Sequence, residues 1–177
     1  MTRPAFFARV APAAAALLLL AAGAATTGDA RTGVGGRTLA GRVVGVSDGD
    51  TLTVLVGGRE PVRVRLAWID APEAGQPYGS RARQELSALA FGEEVAVRVV
   101  DTDRYGREVG EVSARGGRDA GAEMVRRGAA WVYRRYSADA GLLALEAEAR
   151  AARRGLWALP EAERIPPWEW RAAASRR

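Results

Sequence analysis

Three carboxylates fall where strand ends are expected: Asp50, after the turn Asp48-Gly49, and Asp70 and Glu73, after the alternating run 61–69. Acids so placed, with no lysine or histidine nearby, call for a cation, and a hard divalent ion with oxygen ligands is the natural one. Pro72 biases Ala71 towards an extended backbone, which would aim the Ala71 carbonyl at the same ion. Arg65 precedes Asp70 by five residues, and Arg107 closes the run Asp103-Arg104-Tyr105-Gly106-Arg107. Guanidinium groups grip phosphate oxygens bidentately and stay charged at any working pH, so two of them around an oxygen-ligated cation would clamp a phosphodiester. Each feature also has an ordinary reading. Asp-Gly is common in hairpin turns, Asp-Ala-Pro-Glu suits a strand end with a capping turn, and one arginine among 26 is commonly a solvated charge.

Composition narrows the chemistry further. All 26 basic residues are arginine, and the 177-residue chain has no Lys, His, Cys or Asn. A Ser–His–Asp triad, a thiolate nucleophile, a His/Cys zinc site, a Schiff base and a P-loop lysine are all excluded. Any metal must be held by oxygen, which favours calcium or magnesium. With no disulfides, stability must come from a core, and the length suits one domain.

The elements that must position these residues follow from periodicity. Residues 1–24 read as a signal peptide: Arg3 and Arg9, an apolar run 10–22, then Ala22-Gly23-Ala24, with cleavage expected between 24 and 30. Secretion is the expectation, and an uncleaved anchor the rival. Losing this segment lowers the net charge from +5 to +3, a balance that suits an anionic partner. Residues 25–37 read as a flexible spacer. The texture changes from Thr38, where Val43, Val44 and Val46 suggest a strand. Further strands are expected over Thr51–Val56 and over 61–69, where Val62, Val64 and Leu66 alternate with Arg63 and Arg65. A helix over 79–89 presents Ala82, Leu86 and Leu89 on one face, and strands over 94–100 and 107–113 follow. Helices over 119–127 and 138–154 complete a domain at 38–159, and 160–177 reads as an irregular basic tail containing Pro and Trp. Five short strands with one helix between the third and fourth and two helices after the fifth fit a mainly β, five-stranded OB-fold barrel with three helices.

Asp48-Gly49-Asp50-Thr51, then Arg65 to Glu73 (RLAWIDAPE), then Asp103 to Arg107 (DRYGR) together resemble the staphylococcal (micrococcal) nuclease family, in order and spacing. Tyr78-Gly79, Gly128 and Gly155-Leu156-Trp157 extend the match, which covers residues 39–157. The resemblance implies a calcium-dependent endonuclease that cuts DNA and RNA, leaving a 3′-phosphate and a 5′-hydroxyl. It implies Asp50, Asp70 and the Ala71 carbonyl as Ca2+ ligands, Glu73 positioning or deprotonating the attacking water, and Arg65 and Arg107 on the scissile phosphate. Tyr105 and Tyr136 become candidate walls of a nucleotide site. A monomer with no obligate protein partner and no membrane association after signal cleavage is expected. Ala71 stands where the family's type member has Thr, and only Ala-Gly-Gln-Pro separates Glu73 from Tyr78, a shorter loop than the type member's.

The rival reading is an OB-type module of the cell envelope that grips nucleic acid without cutting it. Such modules lose acids or arginines of this set, whereas all five of Asp50, Asp70, Glu73, Arg65 and Arg107 are present. Trp131 and Tyr133 read as packing residues rather than base-stacking ones, and Trp168-Glu169-Trp170 as a segment folding back on the barrel.

Overall fold

A computed structural model describes residues 36–114 and 116–176. The expected signal peptide and nearly all of the expected spacer lie outside the described residues. Five strands form the barrel: β1 (Thr38–Val46), β2 (Thr51–Val56), β3 (Glu60–Leu66), β5 (Glu94–Thr102) and β6 (Glu108–Ala114). Between β3 and β5 come the two-residue β4 (Ile69–Asp70) and helix α1 (Gly79–Ala90). After β6 follow β7 (Arg118–Asp119), α2 (Ala120–Arg126), β8 (Trp131–Val132), α3 (Ala140–Ala151) and α4 (Pro167–Ala174).

The sheet order is β3-β2-β1-β5-β6-β7, antiparallel throughout, and a parallel pairing of β3 with β6 closes it. Closure leaves the five barrel strands no open edge, the arrangement of an OB-fold. Alternation puts Leu52, Val54, Val64, Leu66, Val95, Val97 and Val112 inside, where Leu86 of α1 and Met124 of α2 meet them. A smaller cluster of Trp131, Ala149, Leu156 and Trp157 lies beside it, with the two indoles edge to face at 5.1 Å.

Three departures from the sequence expectation matter for the site. First, the third strand does not run through to Ile69. It breaks at Trp68, which takes a left-handed φ of 69°, and Ile69–Asp70 then pairs with Trp131–Val132. The cause is a lapse of period-two burial: Ile69, Asp70 and Ala71 are consecutively buried, which a continuing half-exposed strand cannot provide. Second, the helices expected over 119–127 and 138–154 start later. Asp119 and Asp139 are their N-caps, accepting from the amides of Ala122 and Leu142 (2.9 and 2.8 Å). Third, the tail expected to be irregular contains α4, so the described fold has four α-helices rather than three. Pro167 is its first residue, the position where a missing amide hydrogen costs nothing. Among the described residues no helix is long and apolar enough to cross a membrane.

Candidate active site

The turn after β1 delivers Asp50 to the start of β2, and its buried carboxylate is held on both oxygens. Oδ1 accepts from Thr51 Oγ1 (3.0 Å), and Oδ2 accepts from the Ala71 amide (3.0 Å). Gly49 is needed here because a Cβ would lie 2.6 Å from that of Ala82 and 2.7 Å from that of Ala71. Arg65 stands opposite Thr51 in the β2–β3 register, which puts its guanidinium beside the turn. Its Nη2 donates to Asp50 Oδ2 (3.2 Å) and to Asp70 Oδ1 (2.7 Å), and Nη1 donates to the Ile69 carbonyl (3.2 Å). The break at Trp68 is therefore what turns Asp70 inward, to share one guanidinium nitrogen with Asp50.

Glu73 lies just beyond, its amide donating to Gln76 Oε1 (3.1 Å). Gly79 packs so closely on this loop that a Cβ would approach the Glu73 carbonyl oxygen to 1.8 Å. Arg107 comes from the turn before β6. Asp103 organises that turn, accepting from the amides of Tyr105 (2.9 Å) and Arg107 (3.0 Å) and from Arg107 Nε (2.7 Å). Slight burial opposes it, but these bonds hold the Asp103 carboxyl below its ordinary value. Arg107 Nη1 reaches Thr51 Oγ1 (3.3 Å), so one hydroxyl links the Asp50 and Arg107 ends of the site.

Asp50, Arg65, Asp70, Ala71, Glu73 and Arg107 all line one cleft of about 1030 Å³. Tyr105 and Tyr136 stand on the same cleft with their rings largely in solvent, 65% and 60% exposed. The Arg107 guanidinium lies 5.7 Å from the Tyr105 ring centre. Trp131 is buried in the second cluster, and Tyr133 stacks on Trp168 at 5.4 Å with 2° between the rings.

Sequence reasoning missed one participant. Arg171 of α4 donates from Nη2 to Asp70 Oδ2 (2.6 Å) and from Nη1 to Asp70 Oδ1 (3.2 Å) and Glu73 Oε1 (2.6 Å). A single arginine in an arginine-rich tail, about a hundred residues from its partners, carries no local signal.

Acids and arginines are interleaved here, six of each lining the cleft. Burial, joined by the charge of Asp50, pushes the Asp70 carboxyl above its ordinary value despite Arg171 and Arg65. Burial likewise opposes but does not outweigh the pull of Asp50 and Asp70, which raises Arg65. Among the described residues no three His, Cys, Asp or Glu side chains are grouped as a ready metal cage. The donor set that fits a hard cation is smaller: two carboxylates of limited solvation, backbone oxygen and water. A dication there would add to, or take the place of, the neutralisation that Arg65 and Arg171 already give Asp70.

Burial and then the charge of Asp50 push Asp48 up to about 6 from its ordinary 3.8. A carboxyl raised on folding costs stability once the unfolded chain ionises, so the cost is absent well below 3.8, grows from there and is complete above about 6. Asp48→Asn preserves an acceptor for the Asp50 amide (3.0 Å). It is expected to stabilise the chain by about 1–2 kcal/mol at pH 8 and negligibly at pH 3. Urea denaturation at both pH values, in chelator, checks this; an equal effect at both would refute it.

A family model described as Staphylococcal nuclease homologue matches residues 63–159, more than half of the chain. The chain belongs to the staphylococcal nuclease family. It is 49% identical over 144 residues to a protein of Shigella flexneri named micrococcal nuclease, covering 76% of this chain and 81% of that one. It is 47% identical over 149 residues to Protein ParB of Escherichia coli, covering 78% and 82%. An uncharacterized endonuclease of Escherichia coli O157:H7 is 47% identical over 131 residues, covering 74% and 84%. The family match begins at Arg63 and so takes in Arg65, Asp70, Glu73 and Arg107, while Asp50 stands before it.

Proposed function

We propose that this staphylococcal nuclease family member is a secreted, calcium-dependent endonuclease that hydrolyses phosphodiester bonds of DNA and RNA and leaves 3′-phosphate ends. One observation carries the reading: buried Asp50 and Asp70 share a guanidinium with Arg65 in the cleft that also receives Arg107 and Glu73. Two carboxylates suit a hard cation, and two arginines suit a phosphate; few substrates other than a phosphodiester use both.

Asp50, Asp70 and the Ala71 carbonyl would hold the calcium ion, which when bound supplies neutralising charge at the phosphate and makes nearby water more acidic. Arg65 and Arg107 bind the non-bridging oxygens and counter the charge that grows on them as phosphorus becomes five-coordinate. Glu73 orients the attacking water and accepts its proton as the new P–O bond forms. The bond from phosphorus to the 5′-oxygen breaks, and that oxygen takes a proton from solvent water to leave as a hydroxyl, while Glu73 returns the proton it accepted to solvent. Tyr105 and Tyr136, exposed at the cleft, offer faces on which bases can stack. The signal-like segment 1–24 supports action outside the cell.

The test is incubation with single-stranded and duplex DNA and with RNA, in calcium and then in chelator, with analysis of the product ends. Calcium-dependent internal cuts with 3′-phosphates are expected. Tight binding without cleavage in any divalent metal would overturn the enzyme reading in favour of a binding module.

A further inference from the structure

Arg171 does not behave as a surface arginine. Its two terminal nitrogens fork across both oxygens of Asp70, at 3.2 and 2.6 Å, and one of them also takes Glu73 at 2.6 Å. The Asp70 side chain is only 1% exposed, so Arg171 and Arg65 between them account for its neutralisation. The element that brings Arg171 there is docked. Pro167 is buried, and Trp168 stacks on Tyr133. Gln76 donates to the Ile165 carbonyl while its own oxygen accepts the Glu73 amide.

We propose that Arg171 is a resident counter-ion of Asp70 and Glu73 that a divalent cation must displace, so that the docking of α4 sets the cation affinity of the site. The argument is one of charge and valence. A fork-on-fork guanidinium takes the in-plane lone pairs of both Asp70 oxygens, the positions a cation also uses. Arg171 cannot yield by losing its proton, because guanidinium stays ionised at every working pH. A guanidinium and a dication on one carboxylate repel each other, and although the Arg171 side chain is 42% exposed, the Asp70 carboxylate they would share is almost fully shielded from water. Exchange therefore requires Arg171 to swing away or α4 to loosen. The inference rests on the reading of Asp70 as a cation ligand.

Calcium binding to the full chain, measured by calorimetry, tests it for wild type, Arg171→Gln, Arg171→Lys and Trp168→Ala. Arg171→Gln is expected to bind calcium about tenfold or more tighter, the equivalent of at least one charge-assisted hydrogen bond no longer competed for. Arg171→Lys, which keeps the charge but loses the fork, should fall between it and wild type. Trp168→Ala loosens α4 without touching a charge and should also tighten binding, so the test stands even if Arg171→Gln folds poorly. In wild type, calcium should increase amide hydrogen exchange over Pro167–Ala174. Unchanged or weaker calcium affinity in both Arg171→Gln and Trp168→Ala, with wild type binding calcium, would overturn the competition alone. No calcium binding in any variant would overturn the cation reading of Asp70 and this proposal with it.

Discussion

Replacing Arg65 with alanine is expected to lower kcat for phosphodiester cleavage by about 10²–10³-fold and to destabilise the fold at the same time. The first effect is the loss of a donor aimed at charge developing on phosphate, for which factors of about 10²–10³ are typical. The second follows from where Arg65 points. Its Nη2 lies between Asp50 and Asp70, whose side chains are nearly inaccessible to water. Removing it leaves two buried carboxylates in each other's field, and breaking such a pair costs about 3–5 kcal/mol, somewhat less here because Arg171 still serves Asp70. Asp70, already raised by burial, would lose a neutralising partner, so the loss is larger at pH 8 than at pH 5. Steady-state kinetics together with urea denaturation at the two pH values check this. A variant as stable as wild type at pH 8 would contradict the ion-pair account.

Arg107→Ala is expected to lose a similar factor in kcat, about 10²–10³-fold, with a stability cost of about 1 kcal/mol or less. Its partner Asp103 sits in a turn that keeps its backbone bonds without the side chain: the Asp103 amide to the Arg107 carbonyl, and Gly106 to the Asp103 carbonyl, both at 2.9 Å. The two arginines thus separate by stability while agreeing in kinetics. The same pair of measurements decides it, and a large stability loss with unchanged kcat would remove Arg107 from the phosphate clamp.

A strand such as β3 is legible because it exposes one face more than the other, so Val62, Val64 and Leu66 announce themselves against Arg63 and Arg65. The placement of Asp50 near Asp70 was legible only as consecutive pairing of the first three strands. What turns Asp70 inward, the left-handed Trp68, has no period to read, since Trp is an uncommon residue in that conformation. The parallel β3–β6 closure joins residues more than forty positions apart and leaves no local trace. The tail was misread for a more specific reason. The segment around Pro166-Pro167 reads as irregular chain, yet proline at the first helical position starts helices as readily as it ends them. Recognising Pro167 as a start would have placed Trp168 and Arg171 on one turn of α4, three residues apart, and so on one face. The segment 168–170 is expected to fold back on the barrel; Trp168 instead stacks on Tyr133 beside the second cluster, and that it carries a guanidinium to the carboxylates with it depends on the fold as a whole.

The central claim, that Asp50 and Asp70 hold the ion on which cleavage depends, is tested most directly by the calcium dependence of DNA cleavage in Asp50→Asn. Asparagine keeps the shape and an acceptor for the Ala71 amide while removing the charge. The half-saturating calcium concentration is expected to rise about tenfold or more relative to wild type, as loss of one charged ligand demands. Cleavage with an unchanged calcium dependence, or cleavage that persists in chelator, would contradict the account.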